Sequence, residues 1–281
     1  MEKPIKGASS NPFQPNQARS ISILSNQAQP NQAQPNRTQR NPTQPNQAQR
    51  NLLLYQPNKA PHNPLLYLIT DRLAFLRSDE FTHADAARLQ LEAIGIAARA
   101  GCQLIQIREK DMSAKDLAAF TREAVRRARP HGVRVLVNDR IDVAMAAGAD
   151  GVHLRVSSIP AREARDLAAK KGRNDFLIGV STHSITEARL AEDGGADFIV
   201  CGPVYTTASK QAYGPPLGLE LLAEICDATA IPALALGGIN LANYREPLRR
   251  GAAGVAAISL FADAESLEQT IRSIVNTPLP C

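Results

Sequence analysis

From Pro64 onward the chain alternates between two textures. Short β-branched or Leu-rich runs recur as LLYLIT (65–70), QLIQI (103–107), RVLVN (134–138), GVHL (151–154), FLIGV (176–180), DFIVC (197–201), PALAL (232–236) and GVAAI (254–258). Between them lie Ala-rich amphipathic stretches such as AARLQLEAIGIAARAG and AKDLAAFTREAVRRA, whose apolar positions repeat at helical spacing. Ser113 is placed to cap the second of these, and Ser184 with Glu187 reads as a capping box ahead of another. Gly-Ala-Asp at 148–150 and Gly-Gly-Ala-Asp at 194–197 mark the return into a strand. Eight strand-like runs, each followed by a helical stretch, predict parallel βαβ units. The span from 65 to 275 sits near the lower end of the ~200–250 residues of an eight-fold barrel. The pattern therefore predicts an α/β fold, a single (β/α)8 TIM barrel over residues 61–281. A doubly wound open sheet is the alternative, and the lack of a GxGxxG after the first run argues against it.

Residues 1–60 differ in kind. More than half of residues 11–50 are Asn, Gln or Pro, in a drifting repeat NQAQP, NQAQP, NRTQR, NPTQP, NQAQR. Such a segment has little apolar surface to offset ordering entropy, and its prolines interrupt helix and ladder alike. It is expected to be a disordered low-complexity extension, either dispensable (or an overcalled start) or a basic arm for nucleic acid or an acidic partner. It also explains the charge. Residues 1–60 carry seven Lys and Arg against Glu2, more than the net +5 of the whole chain, so the body is slightly acidic.

Composition then removes several function classes. No apolar run is long enough to span a membrane, and the start MEKPIKGASSNPF lacks the apolar core of a signal peptide. Four widely spaced cysteines, Cys102, Cys201, Cys226 and Cys281, argue against a zinc ribbon or disulfide framework and fit a cytoplasmic protein. Trp is absent and aromatics are 4%, which argues against a stacking platform for single-stranded nucleic acid.

In a barrel of this kind functional groups collect at the C-terminal ends of the strands. After the second run, Gln106, Arg108 and Lys110 alternate, so strand spacing points them to one side. Inward cations are costly unless an anionic ligand meets them or internal carboxylates pair with them. The third run ends in Asn138-Asp139-Arg140, where Asp139 is placed either to hold Mg²⁺ or to cap the helix starting at Ile141. His153 reads first as a hydrogen-bonded interior histidine. Ser181-Thr182-His183 offers hydroxyls and an imidazole; His183 suits acid–base work or simply flanks the Ser184 cap. The loop Gly202–Lys210, with Thr207, Ala208, Ser209 and Lys210, has the hydroxyls, amides and cation that phosphate recognition requires. Gly237-Gly238-Ile239 and Ile258-Ser259 follow the last two runs, where barrels commonly cradle a phosphate. Two phosphate-bearing pieces at one mouth read as a transferase.

Taken together, LITDR (68–72), QIREKD (106–111), VNDR (137–140), GADGVHL (148–154), GVSTHS (179–184), GPVYTTASK (202–210), LGGI (236–239) and GAAGVAAIS (251–259) resemble thiamine-phosphate synthase over essentially all of 65–275. The resemblance implies joining hydroxymethylpyrimidine diphosphate to a thiazole phosphate, with release of pyrophosphate, by a dissociative route in which the diphosphate leaves first. It implies that Gln106, Ile107, Arg108, Glu109, Lys110 and Asn138 grip the pyrimidine diphosphate, with Ser181 and Lys210 completing the grip. It places Thr207, Ala208 and Ser209 by the thiazole phosphate, Gly238, Ile258 and Ser259 around its phosphate, and Mg²⁺ on Asp139. Lys210, Arg108 and Ser181 carry the catalytic weight. The implied partners are small-molecule substrates, not nucleic acid or membrane. One segment departs: where the family continues Gly-Gln-x-Asp after GVHL, this chain has Arg155-Val156-Ser157-Ser158, so Ser158 stands in place of a second metal ligand and Arg155 is a candidate to replace the missing positive charge. The related thiazole tautomerases, which use a histidine where His183 stands, and a non-catalytic barrel that binds thiamine precursors are the competing expectations.

Overall fold

Each apolar run forms a strand close to where its pattern puts it. The computed structural model describes residues 63–75, 82–207, 215–262 and 266–276, and the expected extension over 1–60 lies outside them. The strands are β1 Leu65–Ile69, β2 Leu104–Ile107, β3 Arg134–Asn138, β4 Gly151–Leu154, β5 Leu177–Thr182, β6 Phe198–Cys201, β7 Ala233–Leu236 and β8 Gly254–Ala257. They pair in parallel in chain order and close into a barrel, with β8 back against β1 through Leu66↔Val255 and Leu68↔Ala257. The barrel expectation holds, and the open sheet falls away.

Alternate residues of each strand face two different cores. Tyr67, Leu104, Leu136, Leu177, Phe198 and Leu234 fill the barrel interior. Leu66, Leu68, Ile105, Ile107, Val135, Val137, Ile178 and Ile199 pack outward with helix residues such as Ala93, Ile94 and Ala97. Because both faces are buried, the strands read as continuous apolar runs and not as alternating ones.

The helices are α1 His83–Ala100, α2 Ala114–Ala128, α3 Ile141–Ala147, α4 Ala161–Lys170, α5 Ile185–Asp193, α6 Gly218–Ala228, α7 Arg245–Arg249 and α8 Leu267–Val275. Ser113 caps α2 as expected, its hydroxyl accepting from the Asp116 N–H at 3.2 Å. At α5 only half of the expected capping box forms. Ser184 accepts from the Glu187 N–H at 3.2 Å, but the Glu187 carboxylate accepts from the His183 N–H at 2.6 Å. A full box instead opens α1, between Thr82 and Asp85. No side chain caps α3, so Asp139 is released from the capping role left open for it.

The Gly-Ala-Asp punctuation has a physical purpose. Asp150, just before β4, accepts the Val135 N–H of β3 at 2.9 Å, and Asp197, just before β6, accepts the Ile178 N–H of β5 at 2.7 Å. Gln103 does the same before β2, accepting the Leu66 N–H of β1 at 2.7 Å. These three clamps occupy equivalent register positions at the N-terminal end of the barrel, the end that carries stability and not catalysis. The opposite end is left free for chemistry. Among the described residues no helix is long and apolar enough to cross a membrane.

Candidate active site

At the end of β2, Gln106 is buried and donates its amide to the Tyr67 hydroxyl at 3.2 Å. Arg108, next along, is half-buried, and its backbone N–H is fixed by the Thr70 hydroxyl at 2.9 Å. Neither its guanidinium nor the exposed Lys110 ammonium makes an ion pair among the described residues. The neighbouring acids are committed elsewhere. Glu109 is buried and receives the Arg72 guanidinium at 3.0 Å and the Arg72 N–H at 3.2 Å, while Asp111 takes the same guanidinium at 2.6 Å. Burial pushes the Glu109 carboxyl up, against the hydrogen bonds from Thr70 and Arg72. Among the described residues no internal carboxylate pairs with Arg108 or Lys110, which leaves both cations at the end of β2 without an ion pair there. Ile107 and Glu109 present no side chain there. Ile107 packs in the outer core and Glu109 faces Arg72.

On β3 and β4 a ring of hydrogen bonds closes around Asp139. This residue has φ 64, a conformation that Asp tolerates better than most side chains. Its N–H donates to the His153 carbonyl at 2.8 Å. One carboxylate oxygen accepts from the Ser158 hydroxyl and the other from the Arg155 guanidinium, both at very short range. The Ser158 oxygen in turn accepts the Arg155 N–H at 2.8 Å. Partial burial works against ionisation of Asp139, but Ser158 and Arg155, with Arg140 behind them, outweigh it and hold the carboxyl below the usual range. These residues do not fit a magnesium site. Both oxygens of the one carboxylate are in use, the second expected ligand position is a hydroxyl already spent on Asp139, and no three His, Cys, Asp or Glu residues gather to hold a metal among the described residues.

Deeper in the mouth, His153 is buried beside Tyr67 and Phe198, with ring centroids 5.7 and 6.2 Å away. Its Nε2 lies 2.9 Å from the Ser181 hydroxyl, and its Nδ1 is buried without a partner. Desolvation pushes its pKa down to about 3, so the ring is neutral. The neutral imidazole and the Ser181 hydroxyl share one hydrogen bond, whose direction follows the tautomer of the ring. The interior reading of His153 holds. Gly179 makes room for it, since a Cβ there would stand 2.4 Å from the Phe198 ring and 2.8 Å from His153 Nδ1. His183 is exposed and held by Glu187, 3.2 Å from its Nδ1.

On the far side, Gly237 and Gly238 follow β7 with φ 99 and 70. A Cβ on either would stand 2.6 Å from a side-chain atom of Pro203 or Tyr205, so only glycine lets this turn lie against the β6 loop. After β8, Ser259–Phe261 forms a single 3-10 turn. The amides of Gly238, Ile239, Ser259 and Leu260 donate to no protein acceptor among the described residues, which makes a neutral cradle of the kind that binds phosphate. Tyr205 fastens this side to α7, donating to Glu246 at 2.6 Å. Thr207 is half-buried at the edge of the loop, and Ala208, Ser209 and Lys210 lie outside the described residues.

The family model for thiamine monophosphate synthase matches residues 66–261. The chain belongs to that family. A thiamine-phosphate synthase from a Roseiflexus species is 38% identical over 210 residues, covering 75% of this chain and 83% of the relative. The thiamine-phosphate synthase of Methanospirillum hungatei is 41% identical over 194 residues, covering 69% and 87%. Among solved structures, a thiamine phosphate pyrophosphorylase from Pyrococcus furiosus superposes with a TM-score of 0.60 at 30% identity, covering 76% of this chain and 98% of that one. The family expectation is thus met, over the span that its motifs marked out. Sequence reasoning missed the ties behind the site. Arg72 ends the LITDR motif but had no role assigned to it, and Tyr67 lay in an apolar run with no signal of its own. The Arg155–Ser158 ring was visible only as a departure from the family pattern.

Proposed function

We propose that the protein is a working thiamine-phosphate synthase, a transferase of thiamine biosynthesis, whose mouth divides into a cationic half for pyrimidine diphosphate and a neutral half for thiazole phosphate. The observation that carries this is that Arg108 and Lys110, at the end of β2, have no ion-pair partner among the described residues, while the phosphate cradle after β7 and β8 is made of uncharged amides. A single phosphate would need one of these, not both.

In this reading Arg108 and Lys110 meet the diphosphate, and Asn138 and the Ser181 hydroxyl orient it. Gln106 braces the pyrimidine side through Tyr67. Lys210, with Ser209 and Ala208 beside it, completes the grip, and Thr207 stands towards the thiazole. The amides of Gly238, Ile258 and Ser259 hold the thiazole phosphate. The diphosphate leaves first, and the electron-rich aminopyrimidine stabilises the methylene cation, which the thiazole nitrogen captures. No protein base is required for the bond-forming step, so catalysis falls to positioning and to stabilising the leaving anion. That suits a site where the buried histidine is neutral and occupied with Ser181. Mg²⁺ belongs to the family expectation, and it supplies charge to a leaving diphosphate where it binds. The residues around Asp139 are not arranged to take it, and no step here runs through it.

We assign the activity to residues 61–281, with 1–60 as an extension outside the machinery, and a cytoplasmic setting in keeping with the unpaired Cys102, Cys201 and Cys226. The test is product analysis with both precursors supplied. Thiamine phosphate should form only when both are present, and equally after removal of residues 1–60. Isomerisation of carboxythiazole phosphate with no condensation would assign the barrel to tautomerases acting through His183.

A further inference from the structure

Asp139, Arg155 and Ser158 form a closed unit that leaves a guanidinium, and not a metal, at the mouth. The Ser158 hydroxyl donates to one oxygen of Asp139 and accepts the Arg155 N–H, and the Ser158 N–H returns to the Arg155 carbonyl at 3.0 Å. Every polar atom of Ser158 except its carbonyl is thereby spent on fixing this turn. Arg155 reaches back through one terminal nitrogen to the second oxygen of Asp139. A divalent cation at Asp139 would compete with a guanidinium and a hydroxyl for the same carboxylate.

The charge arithmetic is unchanged by the substitution. Two carboxylates around a divalent cation sum to zero, and so do Asp139 and Arg155. A guanidinium has five N–H donors in a planar fork that matches two oxygens of a phosphate. Among the described residues Arg155 uses one terminal nitrogen on Asp139, and its side chain is 56% exposed, so the rest of the fork is available to a ligand. The strand order β2, β3, β4 puts Arg108 and Lys110, then Asp139, then Arg155 on successive strand ends of one rim.

We propose that Arg155 takes the place of a divalent cation in this chain, receiving the diphosphate directly, with Asp139 and Ser158 as positioning residues that aim it. The proposal rests on the diphosphate reading of this half of the mouth. It makes anion binding at this rim independent of metal, and it makes Arg155 a determinant of that binding.

The test is calorimetric titration of the full chain with inorganic pyrophosphate, in excess EDTA and in excess magnesium, alongside turnover of both precursors in the same two buffers. Pyrophosphate should bind the unsubstituted protein in EDTA within about threefold of its affinity in magnesium. Arg155→Ala should weaken binding in EDTA by roughly tenfold or more, the scale of one lost charge-assisted contact, and Arg155→Lys should recover part of the loss. Arg155→Gly combined with Ser158→Asp rebuilds a carboxylate pair and should make binding depend on magnesium. Arg155 is exposed, and thermal melts of the variants should match the parent. Binding that vanishes in EDTA, or an Arg155→Ala protein that binds as the parent does, overturns the proposal. Turnover that appears only with magnesium also overturns it, and leaves the synthase reading standing. Binding that persists in EDTA with no turnover in either buffer leaves Arg155 its anion and removes the synthase reading. No binding in either buffer overturns both.

Discussion

His153 shows how a single side chain links the site to stability. It is buried with Tyr67 and Phe198 and holds Ser181 through Nε2. Desolvation lowers its pKa from 6.5 to about 3. Between those values the unfolded chain takes up a proton that the folded chain refuses. Stability therefore rises with pH across that window and is lost as pH falls through it. His153 alone should contribute a slope approaching one proton, about 1.4 kcal/mol per pH unit. Denaturant melts from pH 6.5 downward should show His153→Gln losing less stability than the parent. Parallel slopes would contradict a neutral buried imidazole. Its interior placement was legible from one feature, a histidine inside an apolar strand. Its partner was not, because the Ser181 hydroxyl lies on the neighbouring strand and register is a tertiary fact. Glu109 shows the same limit. Its place in QIREK grouped it with the ligand-binding residues, but the structure turns its carboxylate to Arg72, thirty-seven positions earlier in the chain.

At the scale of elements, the strands were legible within a residue or two because both of their faces are apolar, which leaves few other ways to bury them. Helix starts were less so. Ser113 caps as its pattern indicates, whereas Glu187 bonds one residue earlier than a capping box requires and Asp139 caps nothing. The reason is competition, since each of these side chains had a second backbone or side-chain partner within reach. The Gly-Ala-Asp segments were read as punctuation, and the structure shows them as clamps. Asp197 is fully buried and joins the Ile178 N–H to the Arg165 guanidinium at 2.7 and 2.6 Å. Asp197→Ala would leave the Ile178 N–H without its acceptor and the Arg165 guanidinium on the Phe176 and Gly195 carbonyls alone, and should destabilise the barrel by about 2–3 kcal/mol, read from chemical denaturation. Asp197→Asn keeps an acceptor for the strand and should cost less. A loss under about 1 kcal/mol for the alanine variant would mean the clamp is not structural.

The whole molecule separates stability from chemistry by placing them at opposite ends of one barrel. Gln103, Asp150 and Asp197 tie strand beginnings together, while Arg108, Lys110, Asn138, Ser181, Gly238 and Ser259 stand at or beyond strand ends. This division was legible in advance because a closed parallel barrel fixes which end of every strand is open, so the motif order alone placed eight segments around one mouth. The state of Asp139 was not legible, because it depends on a turn four residues long whose direction no periodicity sets. The central claim is that the mouth has two independent anion-binding halves, and steady-state pyrophosphate release with each precursor varied in turn tests it most directly. Arg108→Ala removes charge from one half. Ser259→Asp places a carboxylate beside the amides of the other, where it repels a phosphate. The account predicts that Arg108→Ala raises KM for the pyrimidine diphosphate alone, and that Ser259→Asp raises KM for the thiazole phosphate alone, each by roughly tenfold. Both constants rising together in either variant, or no pyrophosphate released by the parent protein, would contradict it.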